Sequence, residues 1–223
     1  MNISYQFLFE DGTRHRVDVD VQRKAAAVSA ALPEWTRLGC SRCPNCPLSP
    51  EQHSHCPTAV DLAPTVTAFA PIISHRQARV EVQMPERTIS RDCQVQQALS
   101  SLVALIMATS ACPILGRMRG LAMTHLPFAT LEETLFRNVG AYLLLQFQIH
   151  KQGGTPDWDL QGLSEHFARL EVLNKAFKKR VDAAAKQDAA INAVSALGVL
   201  SMGIGLSIDD QLSELSAFAM LPA

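Results

Sequence analysis

The chain has little charge of either sign and almost no imbalance between them. Lys and Arg number 20 against 21 Asp and Glu, leaving a formal net charge of −1. No global field exists to draw the protein onto nucleic acid or an anionic bilayer. Aromatic residues make up 6% and are not interleaved with basic ones, which removes the stacking platforms that single-stranded nucleic acid needs. The one basic run, Lys178-Lys179-Arg180, reads as a solvated helix face. The N-terminus, MNISYQFLFEDG, lacks the basic and apolar regions of a secretory leader. No glycine-rich phosphate loop lies between a strand and a helix, and no nucleophile elbow occurs. A di-iron carboxylate site on His150 and His166 fails for want of a glutamate three residues before either. Two long stretches, 93–116 and 189–208, carry no charge at all. Their glutamines, serines, asparagine and prolines, and the absence of flanking anchors, make them core helices of a bundle rather than membrane spans.

Hydrophobic residues are present in plenty, at 48%, and can fill one sizeable core. Asp11-Gly12 between two alternating runs, residues 3–9 and 13–20, predicts a hairpin with a tight primed turn. A second strand pair is expected over 78–91, giving a sheet of three or four antiparallel strands. Helices are expected over 23–31, over 58–73 with a break at Pro64, and over 93–111, ended by Pro113. A short helix or turn covers 115–124. Thr130 to Glu133 forms a capping box that starts a helix ending at Gly153-Gly154. Further helices are expected over 160–186, 188–203 and 209–219. The fold class is therefore α+β: a small N-terminal antiparallel sheet packed on a larger helical bundle. We read 1–223 as one domain, with sheet and cysteine loop (40–56) in 1–92 and the helical half in 93–223.

Six cysteines are present, and four of them fall within one short segment, LGCSRCPNCPLSPEQHSHCP. Cys40, Cys43, Cys46 and Cys56, with His53 and His55, supply the donors that soft and borderline metals prefer. The two-residue gap between Cys43 and Cys46 lets both sulfurs grip one ion from a tight turn, and Cys56 returns as a third ligand. Cys40, His53 or His55 would complete a zinc tetrahedron. Prolines at 44, 47 and 57 stiffen the segment before metal arrives. The competing cofactor is a [4Fe-4S] cluster: Cys40-x2-Cys43-x2-Cys46 matches the opening of a ferredoxin-type run, although the fourth cysteine comes nine residues on rather than three. Idle reduced thiols are a third reading. A redox dithiol at Cys43 and Cys46 is a fourth, without the βαβ context that such pairs have. A crowded set of thiols in so long a chain does not look like an extracellular disulfide framework, so the expected address is the cytoplasm.

A second group consists of Cys112, His125, Glu132 and Glu133. Set at helix ends around one cavity, they would suit acid–base chemistry or a second metal. Each also has an ordinary use: Cys112 as a small core residue, His125 bonded to a carbonyl, and the glutamates at a helix N-terminus.

The strings Cys43-Pro-Asn-Cys46-Pro-Leu, His55-Cys56-Pro, Cys112-Pro and His125-Leu-Pro-Phe-Ala-Thr-Leu-Glu-Glu133 resemble an uncharacterised family of bacterial proteins of unknown function. The resemblance spans most of the chain. It implies a compact cysteine site, sets Cys43, Cys46 and Cys56 ahead of Cys40, draws attention to Cys112 and His125, and transfers no mechanism. The leading expectation is a metal-binding protein, zinc before iron–sulfur, whose site fixes the local fold and senses metal or redox state. The others are an iron–sulfur electron carrier or enzyme, and a non-catalytic module that binds a protein partner, or a second copy of itself, through the helical half.

Overall fold

A computed structural model describes residues 1–23, 32–184 and 188–206, with side chains given up to residue 198. The helix expected over 23–31, apart from its first residue, and the one expected over 209–219 lie outside the described residues. Strands β1 (Asn2–Phe9), β2 (Arg14–Asp20), β3 (Gln77–Gln83) and β4 (Thr88–Gln94) form one antiparallel sheet in the order β2-β1-β3-β4. Alternation sets the inner face. Ile3, Tyr5, Phe7 and Phe9 of β1 point inward beside Val80 and Val82 of β3, and all are buried. The first hairpin differs from the two-residue turn expected. Gly12 N–H donates to Phe9 O, Phe9 N–H donates to Thr13 O, and Gly12 sits at φ 83°. This is a three-residue loop closed by a left-handed glycine, which the right-handed twist of the strands accepts equally well.

Helix α1 (Pro57–Phe69) runs straight through Pro64. A proline there forfeits one intrahelical hydrogen bond. Leu62 before it and Val66 and Phe69 after it are all buried, so packing holds the two halves in line. Phe69 meets Phe7 edge to face at 4.8 Å, which seats α1 on the sheet. Helix α2 (Val95–Ala108) follows β4 without a loop. The expected helix start at Cys93 is a strand residue instead, because Cys93 pairs with Ala78 of β3. Leu99, Leu102 and Val103 of α2 join the sheet's inner face in a single core.

After a bend at 109–114, a 3-10 turn (Leu115–Met118) and α3 (Arg119–Met123) lead to α4 (Leu131–Lys151). The capping box is present: Thr130 N–H donates to Glu133 Oε2 at 2.8 Å, and Glu133 N–H donates to Thr130 Oγ1 at 3.2 Å. Helix α5 (Gln161–Asp182) buries Leu163, Phe167, Leu170, Leu173 and Phe177 along one stripe, and α6 (Ala189–Leu206) packs against α5 and α2. Among the described residues, no helix is long and apolar enough to cross a membrane.

Candidate metal centre

The cysteine segment lies between the start of α1 and the stretch of α5 from Arg169 to Arg180. A short antiparallel contact shapes it. Leu38 N–H donates to Ser54 O at 3.0 Å and Cys56 N–H donates to Thr36 O at 2.8 Å, so the loop leaves and returns at one place. Cys46 N–H donates to Cys43 O at 3.0 Å, closing the tight turn that the two-residue spacing requires. Arg42 donates to the carbonyls of Cys46 and Leu48, which locks that turn from outside.

Helix α5 then fastens the segment from beneath. Asn45 Nδ2 donates to Arg169 O at 2.9 Å, and the Cys43 thiol lies 3.9 Å from Leu173 O. The main anchor is Arg180, which is 1% exposed. Its Nη1 donates to Trp35 O at 2.7 Å and to Arg37 O at 2.6 Å, and its Nη2 to Leu38 O at 3.3 Å. The basic run read as solvated is thus split. Arg180 falls on the buried stripe with Phe177 and Leu173, while Lys178 remains at the surface in a pair with Asp182. Helical periodicity contained this signal, since positions 173, 177 and 180 share one face.

The turn that carries Cys112 arrives from the opposite side. Ser110 Oγ donates to Met107 O at 2.7 Å and receives the Thr58 hydroxyl at 2.9 Å, while Cys112 N–H points at the same oxygen from 3.4 Å. Thr58 lies two residues beyond Cys56, so this bond draws the Cys112 turn onto the start of α1. The thiols sense one another. Burial, then Cys56, Cys46 and Cys112, push the Cys43 thiol up to about 12, and the nearby Arg180 charge pulls against them. Burial also raises Cys56, with Cys112 adding to it, while the Ala59 amide, Arg180 and the Thr58 amide lower it. All six cysteines are free thiols. Among the described residues, no three His, Cys, Asp or Glu side chains stand close enough together to hold one ion.

The remaining candidates separate from this junction. His53 is exposed. His55 turns to Thr36: the Thr36 hydroxyl donates to Pro33 O, so its oxygen receives His55 Nδ1–H at 2.8 Å. Cys40 is half-buried, its amide bonded to Arg37 O and its neighbour Ser41 at φ 44°. Glu132 and Glu133 are exposed at the start of α4. There the Glu132 carboxyl is held below the usual carboxylate range by its own amide and the Thr130 hydroxyl.

His125 belongs to a separate niche under the sheet. Its Nε2 lies 2.6 Å from the Tyr5 hydroxyl, which donates to Ser101 Oγ at 3.1 Å. With the tyrosine proton committed to Ser101, the neutral imidazole donates through Nε2. Burial, reinforced by the charge of Arg137, takes His125 down to about 4, and burial pushes the Tyr5 phenol up. A cavity of about 340 Å³ opens beside it, lined by Leu105, Leu121, Phe128, Asn138 and Leu170. No contact among the described residues joins His125 or the two glutamates to Cys112. The sequence grouped Cys112 and His125 with the two glutamates around one cavity; among the described residues His125 instead bonds the Tyr5 hydroxyl, Cys112 lies by the start of α1 and both glutamates are exposed.

The fold is that of an α+β protein, with the cysteine segment lying against the start of α1 and against α5. The chain belongs to the family described as Domain of unknown function (DUF6901), whose model matches residues 3–219. No curated protein and no solved structure matches it.

Proposed function

We propose that this is a metal-binding protein whose cysteine loop holds its metal through thiolates, and that the metal's first task is to fix the loop against the helices. The observation that carries this reading is the fold of the loop: Cys43 and Cys46 share one tight turn against α5, Cys56 closes the loop at the start of α1, and burial with Cys56 and Cys46 nearby raises the Cys43 thiol. Burial there is unfavourable for thiolates without a cation, and favourable once a cation compensates them. Metal affinity in such a loop becomes folding free energy. Zinc is the first reading, because thiolate sets close structural zinc sites.

Iron–sulfur is the second reading, because Cys40-x2-Cys43-x2-Cys46 matches the opening of a ferredoxin-type run.

Elemental analysis and a visible spectrum of protein purified without oxygen decide between the two. Stoichiometric zinc in a colourless protein supports the first. A brown protein bleached by dithionite supports the second. Cys43→Ser and Cys46→Ser should lose metal and melting temperature together. Metal loss with unchanged melting would overturn the structural role.

A further inference from the structure

The cavity beside His125 lies apart from the cysteine loop and has no part in the metal reading. At about 340 Å³ it falls at the lower end of the range that small-molecule pockets occupy. Much of its wall is apolar: Leu105 of α2, Leu121 of α3, Phe128 of the loop before α4, and Phe167 and Leu170 of α5 all line it. His125 closes the side toward the sheet, where it is already bonded to Tyr5. Burial keeps that imidazole neutral at ordinary pH, so among the described lining residues Arg137 carries the one charge.

Two consecutive residues of α4, Arg137 and Asn138, bring polar groups to this wall, and both hold hydrogen-bonding capacity in reserve. Arg137 donates through Nη2 to Leu121 O at 2.9 Å and to Thr124 O at 2.6 Å. Its Nε and Nη1 donate to nothing among the described residues, and no carboxylate there forms an ion pair with it. Glu133, one turn earlier, has its carboxylate on the Thr130 amide instead. Asn138 is 6% exposed. Its Nδ2 donates to Thr134 O at 2.7 Å, and its Oδ1 accepts from nothing among the described residues. A buried amide oxygen calls for a donor, and a half-buried guanidinium beside an apolar space calls for an anion. We propose that the cavity binds a small hydroxylated aliphatic carboxylic acid. Its hydrocarbon body lies against Leu105, Phe167 and Leu170, its carboxylate meets Arg137, and its hydroxyl donates to Asn138 Oδ1.

The wall selects this class over its chemical neighbours. A plain alcohol fills the apolar part and leaves the guanidinium to water. A cationic amphiphile meets Arg137 with the same sign of charge. A simple fatty acid satisfies Arg137 and leaves Asn138 Oδ1 covered without a donor. A site that hydrogen-bonds a hydroxyl discriminates against the analogue that lacks it, because its own polar group is then left unpaired. Arg137 also ties α4 to the end of α3 through the Leu121 and Thr124 carbonyls, which holds its remaining N–H groups in place before a ligand arrives.

Isothermal titration calorimetry of the full chain with 3-hydroxyoctanoate, octanoate and 1-octanol tests the assignment. Affinity should fall in that order, with about a tenfold step where the carboxylate is lost. Arg137→Gln should erase the difference between octanoate and 1-octanol. Asn138→Leu should erase the difference between 3-hydroxyoctanoate and octanoate. Leu170→Trp, which fills the cavity from α5, should abolish binding of all three. Equal affinity of the unaltered chain for octanoate and 1-octanol overturns the role of Arg137, and octanoate binding as tightly as its hydroxylated form overturns that of Asn138. Absence of binding by all three, or binding that survives Leu170→Trp, overturns the site. Should a variant fail to fold, the order of affinities on the unaltered chain decides.

Discussion

Two buried polar regions, the cysteine junction and the Tyr5–Ser101–His125 niche, handle their hydrogen bonds in opposite ways. In the niche the side chains satisfy one another: imidazole to phenol, phenol to serine, with the Phe128 amide reaching the same serine oxygen at 3.4 Å. At the junction the polar side chains serve the backbone instead. Arg180, Asn45 and Arg42 all donate to carbonyls. The thiols do the same: Cys43 reaches Leu173 O, and the Ala59 and Thr58 amides bond Cys56. A closed set of partners is what a fold needs to bury polar atoms.

The largest effect expected from this contrast is at Arg180. Arg180→Met keeps the length of the side chain but removes the guanidinium from the carbonyls of Trp35, Arg37 and Leu38, leaving Arg37 O only the Cys40 amide. Each lost charge-assisted bond and each buried unsatisfied carbonyl costs on the order of 1–3 kcal/mol, so a loss of about 3–5 kcal/mol in urea unfolding is expected. Metal content should fall with it, because the loop then loses its seat on α5. A variant that melts like the parent would show that the loop is held by something other than that guanidinium.

The niche should respond to acid. The His125 value is depressed from 6.5 to about 4 in the folded protein, so the unfolded chain binds the extra proton first. Stability on this account is complete above about pH 6.5 and declines as pH falls toward 4, by up to about 3 kcal/mol. His125→Gln should flatten the slope in that window. An unchanged slope in the variant would place the acid sensitivity elsewhere. Tyr5→Phe comes next in size. It removes the 2.6 Å contact to Nε2 and should cost about 1–2 kcal/mol at neutral pH without altering metal content. Loss of metal in that variant would couple two regions that the structure keeps apart.

The parts of this contrast that depend on local pattern were readable in the sequence. The Asp11-Gly12 hairpin, the Thr130–Glu133 cap and the amphipathic stripe of α5 each follow from residues a few positions apart, and each is present. The tight turn at Cys43–Cys46 was legible for the same reason. What was not legible depends on tertiary context. Pro64 reads as a helix break from local rules, and packing on both sides overrides it. Arg180 reads as surface when counted with its two lysine neighbours. Only its register with Leu173 and Phe177 turns it inward. The approach of Cys112 to the loop depends on the Thr58–Ser110 contact, whose partners lie 52 positions apart, and no spacing rule covers that range.

The smallest expected effect sharpens the comparison most. Cys40 and Cys56 both belong to the crowded segment, and counting ligands from spacing treats them alike. Their surroundings do not. Cys56 is fixed at the start of α1 with its amide bonded to Thr36, while Cys40 lies in the outer turn before Ser41, whose φ is positive. An exchange of sulfur for oxygen there touches no buried partner among the described residues. Cys40→Ser should therefore stay within about 1 kcal/mol of the parent in urea unfolding, because it breaks no buried contact. Cys56→Ser should unfold earlier and release metal. Should the two variants prove equally costly, the loop's outer turn would be as much a part of the site as Cys56.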